Sequence, residues 1–135
     1  MIAIRDIDHI VLRVADVQVM IGFYTRVFGC KVEVSRADIG LYQLRAGRSL
    51  IDLVPVDGKL GKAGGAAPGK EGRNLDHYCF RVEPFDERAI RRHLESCGVA
   101  VGEFAQRNGA EGMGPSIYIS DPEGNTVELK GPPAV

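Results

Sequence analysis

DHIVLRV at residues 8–14 returns as DHYCFRV at residues 76–82, with Asp, His, Arg and Val in the same places and a step of 68 residues. Side chains of a strand alternate between its two faces. In the first copy Ile10, Leu12 and Val14 therefore share an apolar face, and His9, Val11 and Arg13 the other. In the second copy Tyr78, Phe80 and Val82 form the apolar face and leave His77, Cys79 and Arg81 opposite. The chain writes one strand twice, each time with a histidine on the polar side.

The repetition extends downstream. After the first copy, Asp16 is a natural N-cap, and Met20, Phe23, Tyr24, Val27 and Phe28 follow at the spacing of an amphipathic helix that Gly29 ends. After the second, Ala89, Ile90, Leu94 and Cys97 make a similar stripe closed by Gly98. KVEVSR, LYQLRA and SLIDLVPV then read as strands in the first half, and VAVGEFAQ, SIYIS and NTVELK in the second. Each half is thus β-α-β-β-β, which predicts one α+β domain over residues 1–135. Its modules span 3–56 and 74–130, and a linker, 57–73, joins them. The stretch DGKLGKAGGAAPGKEGRN, residues 57–74, carries six glycines and four basic residues and has no capacity to build a core. A half of about 60 residues buries a helix and a curled sheet poorly alone. The expected architecture is two paired βαβββ modules forming a cupped mixed sheet with the helices outside.

Composition excludes several classes. Seventeen basic against eighteen acidic residues leave a net charge of −1, too little surplus for nucleic-acid binding. No apolar run is long enough to cross a bilayer, and Arg5 and Asp6 interrupt the N-terminus where a secretion signal needs an apolar core. Three cysteines without metal-type spacing predict reduced thiols in a cytoplasmic protein.

Alternation also decides what lines the cup. SLIDLVPV sets Ile51, Leu53 and Pro55 against Leu50, Asp52 and Val54, and NTVELK sets Val127 and Leu129 against Thr126, Glu128 and Lys130. Two histidines and two carboxylates, His9, His77, Asp52 and Glu128, are expected on one inner surface, with Asp52 and Glu128 at near-equivalent places in the repeat.

IDHIVLRVADVQVMIGFYTRVFG, LDHYCFRV and SIYISDPEGNTVELK together resemble the vicinal oxygen chelate superfamily, the group of glyoxalase I, the fosfomycin- and bleomycin-resistance proteins and the extradiol dioxygenases. The resemblance covers nearly the whole chain, and its most specific part is the D-P-x-G-N turn before an alternating strand with glutamate. It implies paired βαβββ modules and a divalent metal (Mn, Fe, Ni, Co or Zn) held by His9, His77 and Glu128. Asp52 falls where glyoxalase I places a fourth, glutamate-type ligand; one methylene shorter, it is a ligand, an orienting partner of a histidine or a general base. Two imidazoles and a carboxylate suit such a metal and leave positions for substrate oxygens. The implied activity is a glyoxalase-type lyase, isomerase or transferase acting on a small oxygen-rich molecule, with Asp52 and Glu128 as catalytic carboxylates. The implied assembly is a homodimer with its site shared between chains. The alternative is a metal-free binding protein of the bleomycin-resistance type. Extradiol cleavage needs a further active-site histidine, which this chain lacks once His93 is placed on a charged helix.

Other side chains carry two readings each. Arg13 and Arg81 bind a substrate anion or pair with acids at the strand ends; Tyr118 donates to substrate or packs. Cys79 is a small apolar packing residue rather than a reactive thiolate. Lys59, Lys62, Lys70 and Arg73 belong to a solvated flap.

Overall fold

The computed structural model describes residues 1–133. Two compact units make up the chain, one over Met1–Gly72 and the other beginning at Arg73. The first contains β1 (His9–Val14), α1 (Val17–Phe28), β2 (Lys31–Arg36), β3 (Leu41–Ala46) and β4 (Ser49–Pro55). The second contains β5 (Tyr78–Arg81), α2 (Glu87–Ser96), β6 (Ala105–Arg107), β7 (Gly114–Ser120) and β8 (Thr126–Lys130). Each unit folds its strands into one mixed sheet, ordered β1-β4-β3-β2 and β5-β8-β7-β6. The orders are the same after a shift of four strands, so the repeat read in the sequence is a repeat of topology. In each unit the last strand returns parallel to the first, Val11 opposite Asp52 and Cys79 opposite Glu128.

Local chemistry sets the elements. Asp16 accepts a hydrogen bond from the Val19 amide at 3.1 Å and starts α1; Gly29, at a φ of 69°, ends it by donating to the Thr25 carbonyl. Met20, Phe23, Tyr24 and Val27 are buried as the stripe predicts, and α1 lies against β2, β3 and β4. Asp86 caps α2 in the same way through the Ala89 amide, yet Leu94 is the one buried residue of this charged helix. The D-P-x-G-N turn is organised by the buried Asp121 carboxylate, which accepts from the Glu123 and Asn125 amides and from Asn125 Nδ2. Arg73 ties that turn to the start of its unit through the Gly124 carbonyl at 3.1 Å.

Three expectations differ from the structure. VAVGEFAQ forms a strand only at Ala105–Arg107. Upstream of it Arg91 takes the Gly102 carbonyl and lies over the Phe104 ring, which also meets Phe85, so this stretch packs by side chains instead of pairing. In β4 and β8 burial does not alternate, because both faces are covered: Ile51, Asp52, Leu53 and Val54 are all buried, as are Val127, Glu128, Leu129 and Lys130. The sequence linker is also partly built. Gly61–Gly64 is a 3-10 turn, and Arg13 donates from Nε to the Gly61 carbonyl, from Nη2 to Gly65 and from Nη1 to Ala66, at 3.0, 2.6 and 3.0 Å. A Cβ on Gly64 would overlap that guanidinium, so any larger residue there would displace Arg13 from this position. Among the described residues, no helix is long and apolar enough to cross a membrane.

Candidate functional site

The aspartate of each DH pair explains the repeated dipeptide. His9 Nδ1 lies 2.7 Å from Asp8 Oδ1, and His77 Nδ1 lies 2.7 Å from Asp76 Oδ2. A proton shared along that bond fixes the ring and leaves Nε2 as the free nitrogen, the arrangement that metal-ligating histidines use. Each Nε2 then faces a carboxylate two strand positions away across the parallel pair. His77 Nε2 is 3.2 Å from Glu128 Oε1, and His9 Nε2 is 3.9 Å from Asp52 Oδ2. The longer gap follows from the shorter side chain.

These carboxylates sit at 3% (Asp52) and 4% (Glu128) exposure, and one oxygen of each, Asp52 Oδ1 and Glu128 Oε2, is buried without a hydrogen-bond partner. An unsatisfied buried carboxylate oxygen is costly. A lone pair on Nε2 facing a carboxylate oxygen is repulsive as well, unless positive charge lies between them. A proton on the imidazole relieves the second of these, and a cation bound by the carboxylate and Nε2 together relieves both. At His9 the proton is favoured: its bond to Asp8, and then the charge of Asp52, raise its pKa above the ordinary histidine value. The donor set, one imidazole nitrogen and one orphaned carboxylate oxygen per unit, fits a borderline divalent metal. Within neither unit, among the described residues, do three His, Cys, Asp or Glu side chains converge on one point.

The surroundings of the two pairs differ. In the first unit Gln43, directly across the strand pair from Asp52, donates to Asp52 Oδ2 at 3.0 Å. In the second, the matching position opposite Glu128 is Tyr118, whose ring meets the His77 ring edge-on at 5.2 Å. The Arg107 guanidinium lies 4.3 Å from the Tyr118 ring centroid and donates to Ser116 O and Oγ at 2.8 and 2.9 Å. Cys79, beside Glu128 in the register, has its thiol pushed up to about 11 by desolvation of the sulfur in an otherwise exposed residue, and then by the Glu128 charge. At neutral pH it stays a thiol.

Arg13 holds the 61–66 turn, and Arg81 pairs with Glu111 at 2.6 Å and Glu83 at 3.7 Å, so both direct their donors to their own chain. Alternation along SIYIS sets Ser116 on the same face as Tyr118, whereas Gln43 and Arg107 escaped the sequence reading. Gln43 was accessible through strand register, opposite Asp52; Arg107 lies in a stretch too irregular for period-two logic.

A repeated βαβββ unit with a histidine at or just before the start of its first strand and a buried carboxylate on its fourth defines a class, and comparison with known proteins places the chain in it. The model of the Glyoxalase/Bleomycin resistance protein/Dioxygenase superfamily matches residues 6–129, and the chain belongs to this superfamily. It is 31% identical over 129 residues to the glyoxalase domain-containing protein RDO1 of Mycosarcoma maydis, covering 95% of this chain and 69% of that protein. Among solved structures it is similar to an integron cassette protein of V. cholerae (TM-score 0.76, 28% identity, 97% of this chain and 98% of that one). It is also similar to the virulence protein STM3117 of Salmonella typhimurium (TM-score 0.77, 26% identity, 97% and 99%).

Proposed function

We propose that the protein is a divalent-metal-dependent enzyme of the glyoxalase type, a lyase, isomerase or transferase that acts on a small molecule through two adjacent oxygens. The observation that carries this reading is the matched pair of orphaned buried oxygens, Asp52 Oδ1 and Glu128 Oε2, each on the strand beside an aspartate-anchored histidine. One such oxygen is an oddity; two at equivalent places in a duplication are a donor set.

In this reading His9, His77 and Glu128 hold the metal (Mn, Fe, Ni, Co or Zn). When bound, such an ion polarises substrate oxygens and stabilises negative charge that develops on them. Asp8 and Asp76 keep the imidazoles oriented by accepting from Nδ1. Asp52, drawn back by its shorter side chain and held by Gln43, is placed to take or return a proton at Oδ1 rather than to bind as tightly as Glu128. Tyr118, an exposed residue whose ring meets Arg107 and His77, offers its hydroxyl to substrate. The proposed partner is a small molecule, and the proposed assembly is a homodimer.

The test is metal content by elemental analysis of untagged protein beside His77→Ala. The expected result is near one equivalent of a divalent transition metal, lost in the variant. Absence of metal from both, with no uptake from a panel of divalent ions, would overturn this reading and favour metal-free ligand sequestration.

A further inference from the structure

Lys130 is a buried cation that neither the fold nor the metal reading uses. It is 4% exposed, and lysine is almost never so buried unless paired. Its Nζ makes one long hydrogen bond, 3.4 Å to the carbonyl of its own neighbour Gly131, and no carboxylate pairs with it among the described residues. Glu128, two residues earlier on the same face and roughly 7 Å away along the strand, turns Oε1 to His77 instead. The scaffold does not require a lysine here. At the matching place in the first unit, two residues after Asp52, stands Val54, equally buried at 5% exposure.

The surroundings are shaped to admit the side chain. A Cβ on Gly109 would overlap its stem, and one on Gly114 would lie 2.9 Å from Nζ. Directly across the strand pair is Ser116, fully buried, with Oγ accepting from Arg107 Nη1 at 2.9 Å. Arg107 likewise pairs with no carboxylate among the described residues. Arg107 thus bonds the Ser116 hydroxyl, Lys130 stands at the facing register position, and the exposed loop 108–113 meets the Lys130 stem at Gly109. Glu128 Oε2 lacks a positive partner, and a strand step away Lys130 Nζ lacks a negative one.

We infer that Lys130, Ser116 and Arg107 form a subsite for a compact oxyanion, a carboxylate or phosphate-type group, carried by the substrate beside the oxygens that bind at Glu128. The assignment of that group to a metal-chelating substrate rests on the function proposed above; the anion site itself does not need the metal. A buried unpaired ammonium is costly, and a charge-assisted bond from a ligand oxyanion offsets that cost.

The experiment uses metal-stripped protein and inorganic phosphate as the probe, read by calorimetric titration and by the Nζ resonance of Lys130 in lysine-labelled protein. The expected result is saturable binding that shifts the Nζ signal and weakens about tenfold or more in Lys130→Val, the residue of the matching position. Because the protein is metal-stripped, phosphate binding is read apart from the metal reading, whose failure shows separately as the absence of metal in elemental analysis. The Nζ signal needs no variant, so it decides the matter even if Lys130→Val folds poorly. No saturable binding, an unmoved Nζ signal, or equal affinity in Lys130→Val overturns the subsite.

Discussion

The two units hold the same frame and fill it differently. Asp52 and Glu128 occupy one register position, opposite Val11 in the first unit and Cys79 in the second, yet one lies 3.9 Å from its histidine and the other 3.2 Å. Across the strand the first carboxylate meets an amide donor, Gln43, and the second meets the aromatic ring of Tyr118. Two residues on, Val54 answers Lys130. The backbone of a duplicated module conserves where a side chain stands, and the residues around it decide whether that place binds, orients or packs.

The largest expected effect concerns the helices. Met20 on α1 is fully buried, whereas Ile90 on α2 is half-buried. Met20→Ala is expected to cost about 2–5 kcal/mol, and Ile90→Ala about 1 kcal/mol, in urea unfolding at unchanged slope. Equal losses would mean that both units depend on their helices alike.

Next in size is the neighbour of each carboxylate. Gln43→Ala removes the donor to a buried carboxylate oxygen and is expected to destabilise the metal-free protein by about 1–3 kcal/mol. Tyr118→Phe removes the hydroxyl of an exposed residue and is expected to stay within about 0.5 kcal/mol. Thermal unfolding of the two variants side by side checks this; a Tyr118→Phe loss as large as that of Gln43→Ala would make the tyrosine a structural support.

The smallest effect lies at the exposed β2–β3 edge. Arg45 pairs with Glu33 at 2.6 Å and holds its carboxyl below the usual range, while the residue of β7 that matches Arg45 is Ser120. Because the folded value is the lower one, the pair's contribution is complete above the unfolded pKa of glutamate and is lost as pH falls through the folded value. Arg45→Met is therefore expected to shift stability slightly at neutral pH and not at all in strong acid, as denaturant midpoints at several pH values would show.

Much of this was legible in the sequence, because it rests on short-range rules. The alternation of β1 and β5, the caps Asp16 and Gly29 and the turn at Asp121 follow from neighbours within a few residues. His9, His77, Asp52 and Glu128 were legible because a duplication repeats register as well as composition. The length of VAVGEFAQ as a strand was not, since Arg91 and Phe85 intervene from elsewhere in the chain. Nor was the role of Arg13, whose partners lie 48 to 53 positions away and offer only backbone carbonyls. Main-chain acceptors leave no trace in residue identity.

That guanidinium gives the glycine-rich stretch a fixed length. Its fork meets the carbonyls of residues 61, 65 and 66, so one residue inserted there would put the wrong carbonyls beneath it, although the composition advertises a place indifferent to insertion. A cleavage site or a reporter belongs a few residues later, in the exposed run 67–71. What reads as spacer is half spacer and half ruler.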